Sequence, residues 1–431
     1  MTAPIIQSVD TSPDYPKETT IVIIGGGIVG LVAALSLAER GVPVVVLEKG
    51  RIASEQSSRN LGWIRKTLRS AKDMPLAKHA EQFWTELPQR TGMSVGYRQA
   101  GIMYVAKDEA AMTPYRKWLD GVSELDIPSR LVSSEEIKQM VPGSSVDWVG
   151  GLYDPVDGYA EPTLASTAIA KAAQQKGAII VENCAARRLS LSGGKVSGVV
   201  TERGEIKCDQ VLLAGGLWSR RFLANHKIKL PVLQLLGSVI RTKPFEGPSD
   251  IAVGASNFSF RKRSDGGFTI MQRGALDAPL TPDHLKLGLK FLPALKANKG
   301  LIRPKLGKFF FEELSYPARW KEGKLSPFEM KRTQNPPVNH SIVAEAMGFL
   351  REAWPIFEDA EISSAWGGLI DMTPDGEPVI SRISKIPGLT LASGFSGHGF
   401  GTAPAAGQLA ADIVMNETPL VNPDIYKFDR F

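Results

Sequence analysis

The sequence predicts an α/β fold in which a parallel sheet, assembled from separated stretches of one chain, is interleaved with an antiparallel-sheet domain. Three observations carry this. Residues 19–49 read as strand, glycine turn, helix and strand, with an acid at the end. The aliphatic run Val211-Leu212-Leu213-Ala214 ends on Gly215-Gly216, as a return of the chain to the same sheet would. From Leu230 to Arg273, apolar and polar residues alternate, the pattern of an antiparallel sheet with one buried face. No internal repeat or long linker divides the chain. The two parts are therefore expected to interleave, as 18–88, 150–228 and 340–431 against 89–149 and 229–339.

The opening stretch, MTAPIIQSVDTSPDYPKETT, has no basic start followed by an apolar core. It reads as a loosely held polar leader, not a secretory signal. Ile21 to Ile24 is a β-branched run suited to a buried strand. It breaks at Gly25, and Gly27 and Gly30 complete G-x-G-x-x-G ahead of a helix beginning with Ile28 and Val29. Gly25 permits the tight turn, Gly27 lets a pyrophosphate approach the backbone, and Gly30 lets helix and strand pack closely. The helix N-terminus adds N–H groups and the positive end of a dipole. Arg40-Gly41 stops the helix, and Val44 to Leu47 forms a second strand ending on Glu48. Glu48 stands 18 residues beyond Gly30, where a carboxylate can accept hydrogen bonds from an adenosine ribose. All these parts in register specify a Rossmann-like dinucleotide site, which is more than a glycine pattern alone can do.

Residues 53–75 are polar, basic and aperiodic, as a cofactor-facing loop would be. A helix is expected from Pro75, with Leu76, Ala80, Phe83, Trp84 and Leu87 on one face and Pro88 as its end. Residues 97–112 read as strand, turn and helix start, and Ser133 to Glu136 as a capping box before Ile137. Pro162 to Gln175 is a helix closed by Gly177, and Ala178 to Glu182 a strand. Strands joined by glycine turns follow to Ser219. Residues 340–431 hold a helix, two strand regions and a final helix placed from about Thr402.

Composition is that of a soluble globular protein, at 43% hydrophobic and 22% charged residues. No apolar run reaches the roughly 18–20 residues that span a bilayer. Two isolated cysteines, Cys184 and Cys208, suit a reducing compartment and a cytoplasmic location, each as a small buried side chain. Five scattered histidines give no metal-ligand spacing. Net charge is +6, yet residues 285–337 carry twelve Lys and Arg against four Glu, so the whole excess lies there. Leu285, Leu289 and Leu292 make the start of this region amphipathic if helical. A solvated basic face, a peripheral membrane contact and an electron-acceptor contact remain open readings. No aromatic-basic pattern accompanies the charge, which excludes nucleic-acid binding.

A third motif, Gly394 to Thr402, is a glycine-rich loop leading straight into the last helix. Its bare N–H groups and dipole end can bind an electron-rich oxygen. With the other two motifs, it resembles the D-amino-acid oxidase-like superfamily of FAD-dependent amine oxidoreductases, which includes glycine oxidase, sarcosine oxidase and D-amino-acid dehydrogenase. The three signatures are GGGIVG with Glu48, the strand CDQVLLAGGLWS, and TPDGEPVI followed by LASGFSGHGFGTAPAAGQLAADIV. The resemblance implies FAD contacts by Gly25, Gly27, Ile28, Val29, Gly30, Glu48 and Lys49 at the adenosine diphosphate end. It adds Arg59, Asn60, Gly62, Ala186, Gly215 and Trp218 along the middle. Gly397, His398, Gly399, Phe400, Gly401 and Thr402 would then meet the reacting ring. His398 is expected to contact flavin, with an organising role favoured over that of a base.

By the same resemblance, Arg65 in the run Gly62 to Lys66 takes the place of an arginine that binds a substrate carboxylate, which suits its planar fork. Arg273, and also Arg241, would offer a second anion contact. Trp366 and Asp371 are placed near the flavin likewise. Departures from sarcosine oxidases matter. Gly401 stands where they have a carboxylate-holding lysine, Thr269 where they have a lysine linked to oxygen activation, and Arg273 where a histidine stands. No cysteine matches the one that bonds flavin. The expectations are non-covalent FAD and oxidation of a C–N bond in an amino acid or secondary amine bearing a carboxylate. Hydride would go to flavin N5 and the imine would hydrolyse. Alternatives are a flavin subunit of a multi-chain opine or amine dehydrogenase, and oxidation of a 2-hydroxy acid. An oligomer is compatible with the sequence.

Overall fold

The computed structural model describes residues 3–12, 15–297, 300–321 and 323–431. Lys299 and Glu322, counted in the basic region above, lie outside the described residues. Six strands form the first sheet, in the order Val379–Arg382, Leu389–Ser393, Gln210–Leu213, Ile21–Ile24, Val44–Leu47 and Ile179–Val181. All neighbours run parallel except the first pair. The strands Ile21–Ile24, Val44–Leu47 and Ile179–Val181 are short, wholly apolar runs, as burial on both faces requires. One face is covered by the helices Ile28–Glu39, Met74–Thr91, Pro162–Gln175 and Gly399–Met415. The other packs on a three-stranded sheet spanning 186–207.

The register of this sheet builds the site. Ile21–Ile24 pairs in step with Val44–Leu47 on one side and Gln210–Leu213 on the other. Gly25, Glu48 and Ala214 therefore leave the sheet side by side. They are tied by Gly25 N–H to the Leu47 carbonyl (2.8 Å) and Ala214 N–H to the Ile24 carbonyl (2.8 Å).

The second sheet has ten strands, mostly antiparallel, centred on Leu233–Thr242. That strand pairs with Ile362–Met372 along its whole length, from Leu233 opposite Met372 to Thr242 opposite Ile362. Phe260, Phe268, Phe357 and Trp354 form its aromatic core, with Phe260 and Phe357 ring centroids 5.2 Å apart. The strands Gly150–Asp154 and Ile362–Met372 belong to this sheet. The helix His340–Ala353 packs beneath it. All three lie inside the ranges 150–228 and 340–431, so the chain crosses between the parts more often than its composition suggests.

Most local expectations hold. The helix Pro162–Gln175 has the expected bounds, and Ser133 and Glu136 form a capping box. Three do not. Pro88 does not end its helix, which runs through it to Thr91 and stops at Gly92 in the left-handed region (φ 67°). A proline this near the end removes one hydrogen bond, and burial of Leu76, Ala80, Trp84, Leu87 and Thr91 carries the helix a turn further. Residues 3–12 of the leader are not loosely held: Ile6 and Val9 are buried in the core, and Ser12 N–H reaches the Ile180 carbonyl (3.1 Å). Two apolar side chains sufficed to seat it. The last helix begins at Gly399, three residues before Thr402.

Cys184 and Cys208 are both buried. No described helix is long and apolar enough to cross a membrane. The basic region contains the short helices Pro282–Leu287 and Leu292–Ala297 joined by the 3-10 turn Gly288–Phe291, and Leu285 and Leu289 face outward, 78% and 83% exposed. Leu306, Phe311, Leu314, Leu325 and Met330 are also exposed. Arg303 pairs with Glu345, Lys305 with Asp277, Lys331 with Glu312 and Arg332 with Glu202.

Candidate active site

One cavity of about 600 Å³ runs from the Gly25 turn to the Gly397–Gly401 loop. It brings together nearly every residue expected at the cofactor: Gly25, Gly27, Ile28, Val29, Glu48, Lys49, Arg59, Asn60, Gly62, Ala186, Gly215, Trp218 and 397–401. Arg65 and Arg273 line it too. Gly30 and Thr402 do not. Gly30 sits beneath the turn, where a Cβ would lie 2.3 Å from the Gly25 carbonyl oxygen, and Thr402 bonds to the His398 carbonyl (3.1 Å). Both shape the wall from behind. Arg241 is elsewhere, paired at the surface with Asp265 (2.5 Å). Trp366 is buried and donates to the Arg59 carbonyl (3.1 Å), a packing role.

At one end Glu48 is half-buried and accepts from the N–H groups of Gly26 (2.9 Å) and Gly50 (2.8 Å). Burial raises its pKa, against the pull of Lys49 and those two donors. Two oxygens with about four lone-pair sites leave acceptor capacity for a further hydroxyl. The turn itself is a cradle only glycine fits: Gly25 has φ +113°, and a Cβ there would stand 2.4 Å from the Ala214 carbonyl oxygen. A narrow glycine-walled channel beside a helix N-terminus and a spare carboxylate fits an adenosine diphosphate.

Along the middle, polar side chains serve the wall more than a ligand. Lys49 donates to the carbonyls of Lys331 (3.1 Å) and Arg332 (2.7 Å) and to Glu55 (3.0 Å), and lies 4.3 Å from the Trp218 ring centre. Arg59 serves the carbonyls of Ser54 and Gly367 and the Asn335 side chain. Asn60 closes its own loop onto Gln56, Ser57 and Gly62. Asp371, fully enclosed beside the glycine loop, accepts from Gly394 N–H (2.8 Å).

Burial pushes the Asp371 carboxyl up to about 6 from an ordinary 3.8. A raised folded pKa stabilises the fold fully below about 4, and that stability is lost as pH rises to about 6. In the cofactor-free protein, Asp371→Asn is therefore expected to match the parent below pH 4. It should exceed it at pH 7.5 by up to about 3 kcal/mol, read from denaturant unfolding.

At the far end, the helix Gly399–Met415 points its first turn into the cavity. Gly401 lies against the backbone of Trp63, Ile64 and Arg65, and its carbonyl accepts from Trp84 Nε1 (2.8 Å). His398 is enclosed, and burial holds its pKa well below the usual range, with Arg69 and Arg65 pushing the same way. It is neutral at neutral pH. Arg65 is surrounded by protein, and the surface it keeps is surface toward the cavity. Burial lowers its pKa; Tyr104 opposes this, and Arg69 and Arg273 add like-charge repulsion. Its guanidinium donates to the Thr67 carbonyl. Arg69, by contrast, is paired with Asp73.

Residues that sequence reasoning passed over complete this end. Trp63 and Tyr104 stand edge to face (centroids 5.6 Å apart), and the Trp63 Nε1 and Tyr104 hydroxyl have no hydrogen-bond partner. Met271, Leu276, Leu301 and Ile370 add apolar wall. Tyr104 lies on the strand Ile102–Ala106, whose unbroken apolar run reads only as core.

The glycine-walled channel, the Glu48 end and the helix-capped far end define a flavin-binding oxidoreductase fold. The chain belongs to the family described as FAD dependent oxidoreductase, whose model matches residues 20–413, and its cofactor is FAD. It is 26% identical over 426 residues to 4-methylaminobutanoate oxidase (formaldehyde-forming) of Paenarthrobacter nicotinovorans, covering 98% of this chain and 47% of that protein. It is likewise 26% identical to glycine oxidase of Pseudomonas aeruginosa, over 94% of this chain and 97% of that one. Among solved structures, an L-amino acid deaminase from Proteus myxofaciens in complex with anthranilate superposes with a TM-score of 0.95. It shares 31% identity, over 100% of this chain and 96% of that one. The chain spans about half the length of the first curated relatives it matches.

Proposed function

We propose that this chain oxidises the C–N bond of an amino acid or secondary amine carrying a carboxylate, using non-covalently held FAD. The observation that carries this is Arg65, a guanidinium enclosed beside the glycine loop with no carboxylate among the described residues bonded to it. Flavin, when bound, supplies a hydride acceptor. The chain's residues supply the rest. Arg65 takes the carboxylate through its two-pronged edge and so fixes the carbon that loses hydride. Arg65 and Arg273 make the site electropositive, which draws in the carboxylate of the amine, while Arg69 is balanced by Asp73. His398, already neutral, adds no charge against that amine. The helix N-terminus at Gly399 favours negative charge on whatever ring lies against it. The imine then leaves and hydrolyses in water.

Anaerobic mixing of the FAD-loaded protein with D- and L-amino acids, N-methyl amino acids, opine-like compounds and hydroxy acids tests this. Bleaching of the flavin by an amine is the expected result. Bleaching by hydroxy acids alone, or by nothing, overturns it. The rate of recolouring in air separates oxidase from dehydrogenase.

The exposed leucines of 282–297 among Lys286, Lys290 and Lys296 support a second element of the reading: this face meets an anionic bilayer surface or an electron acceptor. Several relatives are named as a subunit, among them sarcosine oxidase subunit beta of an Arthrobacter species, so a partner chain is a further candidate for the same face. Sedimentation with phosphatidylcholine vesicles, with and without phosphatidylglycerol, is expected to show binding only with the anionic lipid. Raised salt and Leu289→Glu should each weaken that binding. Binding to neither vesicle, or equal binding to both, removes the anionic bilayer.

A further inference from the structure

The reaction end of the cavity holds more donors and more positive charge than one carboxylate can satisfy. Arg65 and Arg273 line the same space but belong to different parts of the fold. Arg65 follows the short strand Trp63–Ile64, and Arg273 follows Phe268–Met271 of the ten-stranded sheet. Each is anchored separately. Arg65 is held by the Thr67 carbonyl, and Arg273 by the Ala255 carbonyl (3.4 Å) and by the rings of Tyr104 (4.6 Å) and Trp63 (5.9 Å). The place of Arg273 is built in, since a Cβ on Gly254 would lie 2.5 Å from its Nη1. No hydrogen bond or ion pair joins either guanidinium to a carboxylate among the described residues.

The acids that line the cavity are engaged elsewhere. Glu48 binds Gly26 and Gly50, Glu55 binds Lys49 and Trp218, and Asp371 binds Gly394. Trp63 Nε1 and the Tyr104 hydroxyl add two donors without partners. A guanidinium carries five N–H donors and a carboxylate about four acceptor sites. One carboxylate takes two parallel N–H bonds from Arg65 and balances a single positive charge, which leaves Arg273 without a counter-ion.

Resting on the amine-oxidation reading, we propose that the substrate is a dicarboxylic amine. Its α-carboxylate is gripped by Arg65, and its second carboxylate meets Arg273 at the Trp63–Tyr104 corner. Arg273 is then the residue that sets specificity. The apolar wall of Met271, Leu276 and Ile370 accommodates the methylenes between the two charges.

The test uses the FAD-loaded protein and unreactive acids of matched length: succinate against butyrate, glutarate against valerate, adipate against hexanoate. Binding is read from the perturbation of the flavin's visible spectrum. The diacid of at least one pair is expected to bind about tenfold or more tighter than its monoacid. Arg273→Met should bring that ratio to about one while changing monoacid affinity little, and Arg65→Met should weaken both. Arg273→Lys keeps the charge and should restore part of the preference, which guards against a variant that merely misfolds. Equal binding of every pair, no binding of any acid, or equal weakening of both acids in Arg273→Met overturns the proposal. The last result would mean that both guanidiniums grip one carboxylate. Failure of the amine reading has a separate sign. A diacid preference with no amine able to bleach the flavin retains the anion sites and removes the reaction, whereas bleaching by monocarboxylic amines without a diacid preference does the reverse.

Discussion

Replacing Arg65 by methionine is expected to lower kcat/KM for a carboxylate-bearing amine by roughly 30-fold to several-thousand-fold, the equivalent of about 2–5 kcal/mol for truncating one partner of a buried charge pair. The loss should appear mainly in KM, with flavin content unchanged. Arg65 is enclosed, and among the described residues its guanidinium makes one hydrogen bond, to the Thr67 carbonyl. The fold therefore loses little when it goes, while a bound carboxylate loses its bidentate partner in a low-dielectric cavity. Methionine keeps the length and apolar stem of the side chain, so the wall toward Gly401 is preserved. Steady-state kinetics with the best amine of the panel, together with the flavin-to-protein absorbance ratio, checks both halves. Unchanged kcat/KM would place the carboxylate elsewhere.

Gly25→Ala is expected to abolish stable FAD binding. Two costs act together. A non-glycine residue at φ +113° leaves the allowed regions, a penalty of about 1–3 kcal/mol. The new methyl would also stand 2.4 Å from the Ala214 carbonyl oxygen, a backbone atom held in the central sheet by its pairing with Ile24. Relief requires the turn to lift away from the sheet, into the channel reserved for the pyrophosphate. The measurement is FAD retained through gel filtration, alongside the thermal midpoint. Gly41→Ala is a useful companion, because Gly41 also has a positive φ (72°) but a Cβ there meets nothing within 4 Å. It should cost stability without displacing cofactor.

The cofactor side of this protein was legible because its requirements are local. Gly25 and Gly27 follow one strand end, Glu48 and Gly215 follow the ends of its two neighbours, and the sheet register alone aligns them. The substrate side was legible only in part. Arg65 stands next to a recognisable loop, but Tyr104 is one apolar residue in a buried strand. Its meeting with Arg273 depends on the parallel pairing of Ile102–Ala106 with Ala252–Gly254, a contact of long sequence separation. Arg241 and Arg273 are both arginines of the same sheet region, and sequence gave no way to rank them. The pairing of Arg241 with Asp265 decides it. The positions of Pro88 and of the leader show the same limit. In each case burial of a few distant apolar contacts outweighed a local polar or helix-breaking signal.

The two buried sulfurs make this protein well suited to chemical labelling. Burial raises the Cys184 thiol above its ordinary range and pushes Cys208 up to about 12. At pH 7.5 Cys208 is thus overwhelmingly the protonated thiol, and neither sulfur is open to a maleimide while the sheets are closed. A single probe attached after Leu289→Cys would report on the basic face against a silent background. The native pair, unmasked only by unfolding, would serve as a clock for the opening of the sheet that holds the cofactor.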